Sequence, residues 1–251
     1  MLKISIITVC YNSAATIQDT INSVARQSYI NKEHIIVDGA SKDATMEMVR
    51  TSPSVSLYVS ETDSGIFDAM NKGIKLVSGD VIGMLNADDF YIDNAVLSDV
   101  AKVFEDEGVD ACFADLFYVS QNDTDKVVRY WKSKEYKPGL FKKGWMPAHP
   151  TFFVRKRIYE KLGAFDLNYK FAADFELLLR FIEKNKINTV YLPRVILKMR
   201  LGGASNKTLK NIITQNKEII QILHDHYKNI SLFRLWISKI KSRTLQFIFR
   251  P

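Results

Sequence analysis

Residues 80–90 read Asp-Val-Ile-Gly-Met-Leu-Asn-Ala-Asp-Asp-Phe, and the break inside this stretch decides the fold. A short apolar run, Val81 to Leu85, stops abruptly at Asn86-Ala87-Asp88-Asp89. The run has the length and character of a buried strand. Carboxylates at the carboxyl end of such a strand are costly unless something pairs with them. In open α/β sheets that edge is also where ligands sit. A divalent cation carrying a diphosphate would supply the missing positive charge. Mg²⁺ and Mn²⁺ take oxygen ligands and often share one or two carboxylates with substrate phosphates. A plain strand-to-helix turn with Asp as N-cap is the other reading, and on this stretch alone both stay open.

Outward from this stretch, strands and helices alternate. Ile4 to Val9 is a β-branched strand that runs into Cys10-Tyr11-Asn12-Ser13, and a helix is expected from about Ala14 to Gln27. His34 to Val37 is the next strand, ending in Asp38-Gly39-Ala40-Ser41-Lys42-Asp43, with a helix from about Ala44. A strand near Val55 to Val59 and a helix over Ile66 to Leu76 follow. This βαβ spacing predicts a mostly parallel sheet with helices on both faces. Polar residues gather where strands end: Thr8, Tyr11 and Asn12; Asp38, Ser41 and Asp43; Asp63; then Asn86, Asp88 and Asp89. Four such ends on one rim describe a site better than four unrelated loops do.

These residues carry a family resemblance. The stretches at 5–12 (Ser-Ile-Ile-Thr-Val-Cys-Tyr-Asn), 37–43 (Val-Asp-Gly-Ala-Ser-Lys-Asp), 61–73 (Glu-Thr-Asp-Ser-Gly-Ile-Phe-Asp-Ala-Met-Asn-Lys-Gly) and 85–89 (Leu-Asn-Ala-Asp-Asp) occur in order. A later block runs from His149-Pro150-Thr151-Phe152 through Gly163-Ala164-Phe165-Asp166 to Ala173-Asp174-Phe175-Glu176 and Arg180. Over about residues 1–205 the chain resembles an inverting glycosyltransferase of family 2, in its bacterial exopolysaccharide, capsule and lipopolysaccharide subgroup. The resemblance implies the glycosyltransferase-A fold, a Rossmann-like, mostly parallel sheet with flanking helices. Residues 1–90 would mainly bind the nucleotide sugar and 91–205 mainly face the acceptor.

By that resemblance Thr8, Tyr11 and Asn12 sit at the base and ribose, and Asp38 meets the base edge. Asp63 shapes the pocket, with Asn71 one helical turn further on. Asp43 and Asp68 are open to plainer roles, as a helix cap and a first-turn acid. Asn86 and Ala87 join the donor side, and Asp88 holds Mn²⁺ or Mg²⁺. The family's metal motif usually begins with Asp, so Asn86 is a departure that brings no charge. Asp174 is implied as the base, with Ala173 where the family usually has Glu. Asp174 also suits a helix N-cap, and the two roles are compatible. Trp145, His149 and Glu176 are acceptor-side candidates, against a hydrophobic cluster, a structural loop histidine and a scaffold contact. Arg200 opens a stretch expected to be flexible, Arg200-Leu201-Gly202-Gly203-Ala204-Ser205, and could meet phosphate there.

Composition fits. A chain of 251 residues can bury a sizeable core as one large domain. Cys10 and Cys112 lie far apart and read as buried, reduced thiols of a cytosolic protein. The amino terminus enters a strand at once, no secretory signal is visible, and no apolar run is long enough to span a bilayer. Residues 206–251 hold nine Lys/Arg against Glu218 and Asp225, a net of +7 that equals the whole chain's charge, so residues 1–205 are neutral. Within 229–251, Leu232, Phe233, Trp236, Ile237, Ile240, Phe247 and Ile248 fall on one helical face, with Arg234, Lys241 and Ser242 opposite. That texture suits an amphipathic helix on an anionic membrane surface, with a packed terminal helix or a dimer contact as the plainer reading. The protein is therefore expected to be cytoplasmic, and peripheral on the inner face of the plasma membrane.

The expected activity is transfer of a hexosyl or N-acetylhexosaminyl group from a nucleotide-diphosphate sugar, a UDP-sugar, to a glycan or polyprenyl-diphosphate-linked acceptor. Two other classes compete. A nucleotidyltransferase usually opens with a glycine-rich basic loop, and residues 8–16 contain no Gly, Lys or Arg. A non-catalytic nucleotide-binding module of polysaccharide assembly would not require Asp88 and Asp174 together. Nucleic acid is not an expected partner, because the basic tail has no recognisable reader motif.

Overall fold

The computed structural model describes residues 1–202 and 208–231, together with 235, 237, 238, 244, 246 and 247. Most of the residues behind the expected membrane-facing helix (Leu232, Phe233, Arg234, Trp236, Ile240, Lys241, Ser242 and Ile248) lie outside these, as do Gly203, Ala204 and Ser205.

The alternation expected from the sequence forms. Strands β1 (Ile4–Cys10), β2 (Lys32–Asp38), β3 (Leu57–Ser60) and β4 (Val81–Met84) run parallel in the order β3-β2-β1-β4. Helices α1 (Ile17–Ala25), α2 (Thr45–Thr51) and α3 (Ile66–Leu76) connect them. The sheet continues through β8 (Phe153–Arg155), β6 (Ala111–Val119) and β9 (Thr189–Arg200) to the short β5 (Asp89–Tyr91). Strand β7 (Val127–Trp131) pairs with the far half of β6. Strands β5, β7 and β8 oppose the rest, so six of nine share one direction. Helices α4 (Val96–Val103), α5 (Lys156–Leu162), α6 (Ala173–Leu178) and α7 (Leu209–His226) complete the chain, with α6 continuing as a π-helix over Leu179–Lys184.

Both faces of β1, β2 and β4 are buried, which is why these strands carry apolar runs, whereas the edge strand β3 is largely exposed. Successive side chains of a strand point to opposite faces. In β1, Ile7 and Val9 join a core built with residues of α3, α5, α6 and α7, while Ile4 and Ile6 join a second core that includes Val24 of α1 and most of α4. Cys10 and Cys112 are buried and free. Ile219, Ile222 and Leu223 of α7 lie in the first core, as does Leu235, 2 % exposed. The boundary drawn at 205 therefore assigns to the tail a helix that packs on the domain. No helix of the described residues is long and apolar enough to cross a membrane.

Two expectations change. Asp89 begins a strand, not a helix, so the N-cap reading of the 86–89 turn falls away. Arg200 ends β9 and is 6 % exposed, so it belongs to the sheet.

Gly83, in the strand that delivers this turn, packs against a ring. A Cβ added there would meet Phe153 Cε1 at 2.4 Å and Cδ1 at 2.7 Å, and Phe153 is itself fully buried. Gly83→Ala is expected to lower unfolding stability by about 1–3 kcal/mol through overpacking, read from urea denaturation midpoints. An unchanged midpoint would contradict this packing.

Candidate active site

The carboxyl ends of β1, β2, β3 and β4 lie along one rim, because the four strands are parallel and adjacent. The turn after β4 is tied down from two sides. Thr20 Oγ1 of α1 donates to the Asp89 carbonyl at 2.7 Å, and Arg200 Nη1 of β9 donates to the Asp88 carbonyl at 2.8 Å. Arg200 also pairs through Nη2 with Asp19 and lies 4.9 Å from the Phe90 ring centroid.

The side chains of this turn are short of partners. Asn86 Nδ2 donates to Asp89 Oδ2 at 3.1 Å, but the buried Asn86 Oδ1 and Asp89 Oδ1 have no hydrogen-bond partner. Burial drives the Asp89 carboxyl far above its ordinary range, and the neighbouring Asp88 charge pushes the same way. Asp88 is also raised, by burial, with the Arg200 charge opposing. Buried polar atoms without partners are rare and call for an explanation. An oxygen-only set of this kind fits Mg²⁺ or Mn²⁺. Among the described residues no group of three or more His, Cys, Asp and Glu side chains converges as a metal site. A cation here would thus take few protein oxygens and complete its shell with phosphate and water.

Along the rim, Tyr11 is 59 % exposed, just past β1. Gly39 separates it from Asp63: a Cβ there would lie 2.5 Å from Asp63 Oδ2 and 3.4 Å from Tyr11 Cδ2. Asp63 Oδ1 accepts the Gly65 N–H at 2.8 Å. Asn12 sits at φ +49° and organises the loop, its N–H donating to Ser41 Oγ at 2.8 Å and its Oδ1 accepting the Lys42 N–H at 2.9 Å. Asp43 accepts the N–H groups of Thr45 at 3.0 Å and of Ala14 at 3.1 Å, which joins the first two rim loops. Asp68 accepts the Ser64 N–H at 3.0 Å.

Several expected residues turn away from this surface. Thr8 lies within β1, fully buried, and its hydroxyl meets His34 Nε2 at 2.9 Å. Asp38 is buried and engaged within the protein by Ser41, by Ser60 Oγ at 2.6 Å and by Cys10 Sγ at 3.5 Å. Ala87 packs with Cys10, Ile17 and Ile21 in a small core under α1. Trp145 belongs to an aromatic cluster with Phe113, Tyr136 and Phe141. Glu176 is locked to Arg180 at 2.9 Å, and Arg180 also donates to the carbonyls of Leu162, Gly163 and Ala164. Asn71 exchanges two 2.9 Å bonds with the Phe165 backbone. The buried His149 ring meets the Phe165 ring edge-on at 5.5 Å, and burial lowers its pKa to about 4, so it is neutral near pH 7.

Asp174 occupies the second position of α6, not the cap, which is Ala172. Its Oδ1 accepts the Phe175 N–H at 2.8 Å. Burial raises its pKa to about 6; the Phe175 and Asp174 N–H groups oppose this, and the Glu218 charge adds to it. Sequence reasoning missed Asp19 and Glu218, which act across long separations with no motif around them. Gly39 had a signal, a glycine after Asp in a rim loop. A cavity of about 500 Å³, lined by Glu135, Tyr136 and residues 186–191, lies at the start of β9, on the opposite edge from this rim.

A rim of parallel strand ends with an acidic turn is the geometry of a nucleotide-handling α/β enzyme. The profile of "Glycosyl transferase family 2" matches residues 5–163, and the chain belongs to that family. A "PGL/p-HBAD biosynthesis glycosyltransferase" of Mycobacterium tuberculosis is 29 % identical over 208 residues, 80 % of this chain and 78 % of that protein. An uncharacterized glycosyltransferase of Rickettsia typhi is 26 % identical across 98 % of this chain and 77 % of its own length. Two solved structures share the fold at 19 % identity and a TM-score of 0.67. S. aureus TarS 1–349 in complex with UDP covers 92 % of this chain and 67 % of that one. The mannosyltransferase PcManGT from Pyrobaculum calidifontis, with GDP-Man and Mn²⁺, covers 96 % and 70 %. In another TarS structure the match spans 40 % of that chain. The chain is a glycosyltransferase.

Proposed function

We propose that this glycosyltransferase moves a sugar from a nucleotide-diphosphate donor, a UDP-sugar, to an acceptor hydroxyl, with inversion at the anomeric carbon. The observation that carries this reading is the acidic turn at the rim, where two buried oxygens lack partners beside two carboxylates of raised pKa. Asp88 and Asn86 would hold Mn²⁺ or Mg²⁺ there. When bound, such an ion offsets the charge of the departing diphosphate. Tyr11 offers an open ring for base stacking, and Gly39 keeps the space beside Asp63 clear. Asp174 takes the proton of the acceptor hydroxyl. A base with a pKa of about 6 is ionised at pH 7 yet close enough to it to accept a proton effectively. No protein acid is assigned to the leaving group, unlike glycoside hydrolysis. The acceptor is proposed to be a cell-surface glycan or glycolipid, in line with the biosynthetic name of the mycobacterial relative. Residues 229–251 are proposed to bring the enzyme to an anionic lipid surface.

Thermal-shift screening of UDP-GlcNAc, other UDP-sugars and GDP-Man, with and without Mn²⁺, is expected to pick a UDP-sugar whose stabilisation depends on the ion. Asp88→Ala should abolish that dependence and nearly all transfer, whereas Asn86→Ala should be milder. EDTA-insensitive transfer by an active Asp88→Ala enzyme would refute the metal assignment.

Asp174→Asn keeps the shape but cannot accept a proton, so turnover should fall by about 10²–10⁴-fold with donor binding retained. The wild-type kcat/KM should decline as pH drops below about 6, because the working form is the carboxylate. A retained anomeric configuration by NMR would sink the single-displacement mechanism.

For the tail, truncation would remove the buried Leu235, so charge removal is the cleaner probe. Each basic residue near an anionic surface contributes roughly 1 kcal/mol. The triple change Lys239→Gln, Lys241→Gln, Arg243→Gln should release the protein from phosphatidylserine vesicles at low salt. Equal sedimentation of variant and wild type would count against the membrane reading.

A further inference from the structure

Helix α7 reaches the chain just ahead of Asp174 at several points. Glu218 accepts three consecutive backbone N–H groups, those of Lys170 at 3.1 Å, Phe171 at 2.8 Å and Ala172 at 2.9 Å. Gln215 Nε2 donates to the Phe171 carbonyl at 3.2 Å, and Tyr169 Oη meets Asp225 at 3.4 Å. Ile219, Ile222 and Leu223 share one core with Ala172, Ala173 and Phe175. Helix α6 has no side-chain cap of its own, so the group that fixes its entry comes from 44 residues further along, counting from Asp174 to Glu218.

We propose that Glu218 is a positioning residue for Asp174: by gripping the backbone of 170–172 it sets where the first turn of α6 presents the carboxylate. The inference rests on the reading of Asp174 as base. Misplacement by about 1 Å of a reacting group can cost on the order of 10²-fold in rate, and three charge-assisted bonds on consecutive amides oppose such drift. From α7, it is the Glu218 charge that bears on Asp174. On Asp174's own helix, Glu176 is taken up by Arg180, with His226 of α7 near that pair. In the preceding loop, Lys170 lies 5.8 Å from the Phe171 ring centroid.

The test uses the full chain. With ¹³C-labelled aspartate, the Asp174 carboxyl carbon, assigned through Asp174→Asn, should titrate near 6. In Glu218→Gln that midpoint should move to lower pH, because the opposing negative charge is gone while an amide oxygen can still accept. Glu218→Asp keeps the charge but draws back by one methylene. Its midpoint should stay, while kcat for hydrolysis of whichever nucleotide sugar the thermal-shift screen selects falls by about tenfold or more. Either an unmoved midpoint in folded Glu218→Gln or an unchanged kcat in folded Glu218→Asp overturns the proposal. Normal turnover in Asp174→Asn would instead remove the base reading itself, and this inference with it, whatever the Glu218 variants do.

Discussion

Arg200 holds the acidic turn by its backbone and offsets only part of the burial of its acids. Its guanidinium donates to the Asp88 carbonyl and pairs with Asp19, a carboxylate of α1. Three elements therefore meet at one residue: the last strand, the first helix and the turn after β4. The carbonyl contact fixes the path of the turn. Its charge lowers the Asp88 and Asp89 pKa values without overcoming the effect of burial. The turn is thus rigid and electrostatically incomplete at once, which is the condition a bound cation would complete.

The opposite edge of the same sheet shows that this is not the general fate of buried acids here. Glu33, at the amino end of β2, is also buried. Its carboxylate meets Lys3 Nζ at 2.7 Å, Ser5 Oγ at 2.5 Å and both the N–H and the hydroxyl of Ser78. Burial alone would raise Glu33, but these partners outweigh it and hold the pKa at about 2. Asp38, on the rim itself, is satisfied in the same way, and among the described residues of the rim only the turn after β4 leaves its acids short of partners. Since buried polar groups are normally satisfied, that turn is the part of the rim that points to chemistry.

The alternation of elements was legible in the sequence because local patterning suffices for it. The helix over Ile66–Leu76 has the expected bounds, and the four parallel strands form where apolar runs occur. Side-chain destinations were less legible, since they depend on partners far along the chain. Thr8 looks like a rim residue by its nearness to Asn12, yet it faces His34 inside the sheet. Glu176 looks free until Arg180 is seen bridging to the Leu162–Ala164 carbonyls. Arg200 reads as a linker residue because glycines follow it, but β9 extends to it by pairing with β6 up to Val119. A strand end set by a partner 81 residues away, from Val119 to Arg200, leaves no local mark.

The tail illustrates the same limit for charge. Counted as a block, residues 206–251 are basic, with two acids. In space those two acids face the domain: Glu218 accepts the 170–172 amides and Asp225 meets Tyr169. The bonds that dock α7 thus use the negative charges, and what the tail has left is basic throughout. Salt acts unequally on these two parts. Short, partly buried contacts are weakly screened, whereas exposed charges lose their reach beyond about 8–10 Å at ordinary ionic strength. Docking of α7 beside Asp174 and any attraction of the remaining basic residues to a polyanion are therefore separable properties of one segment.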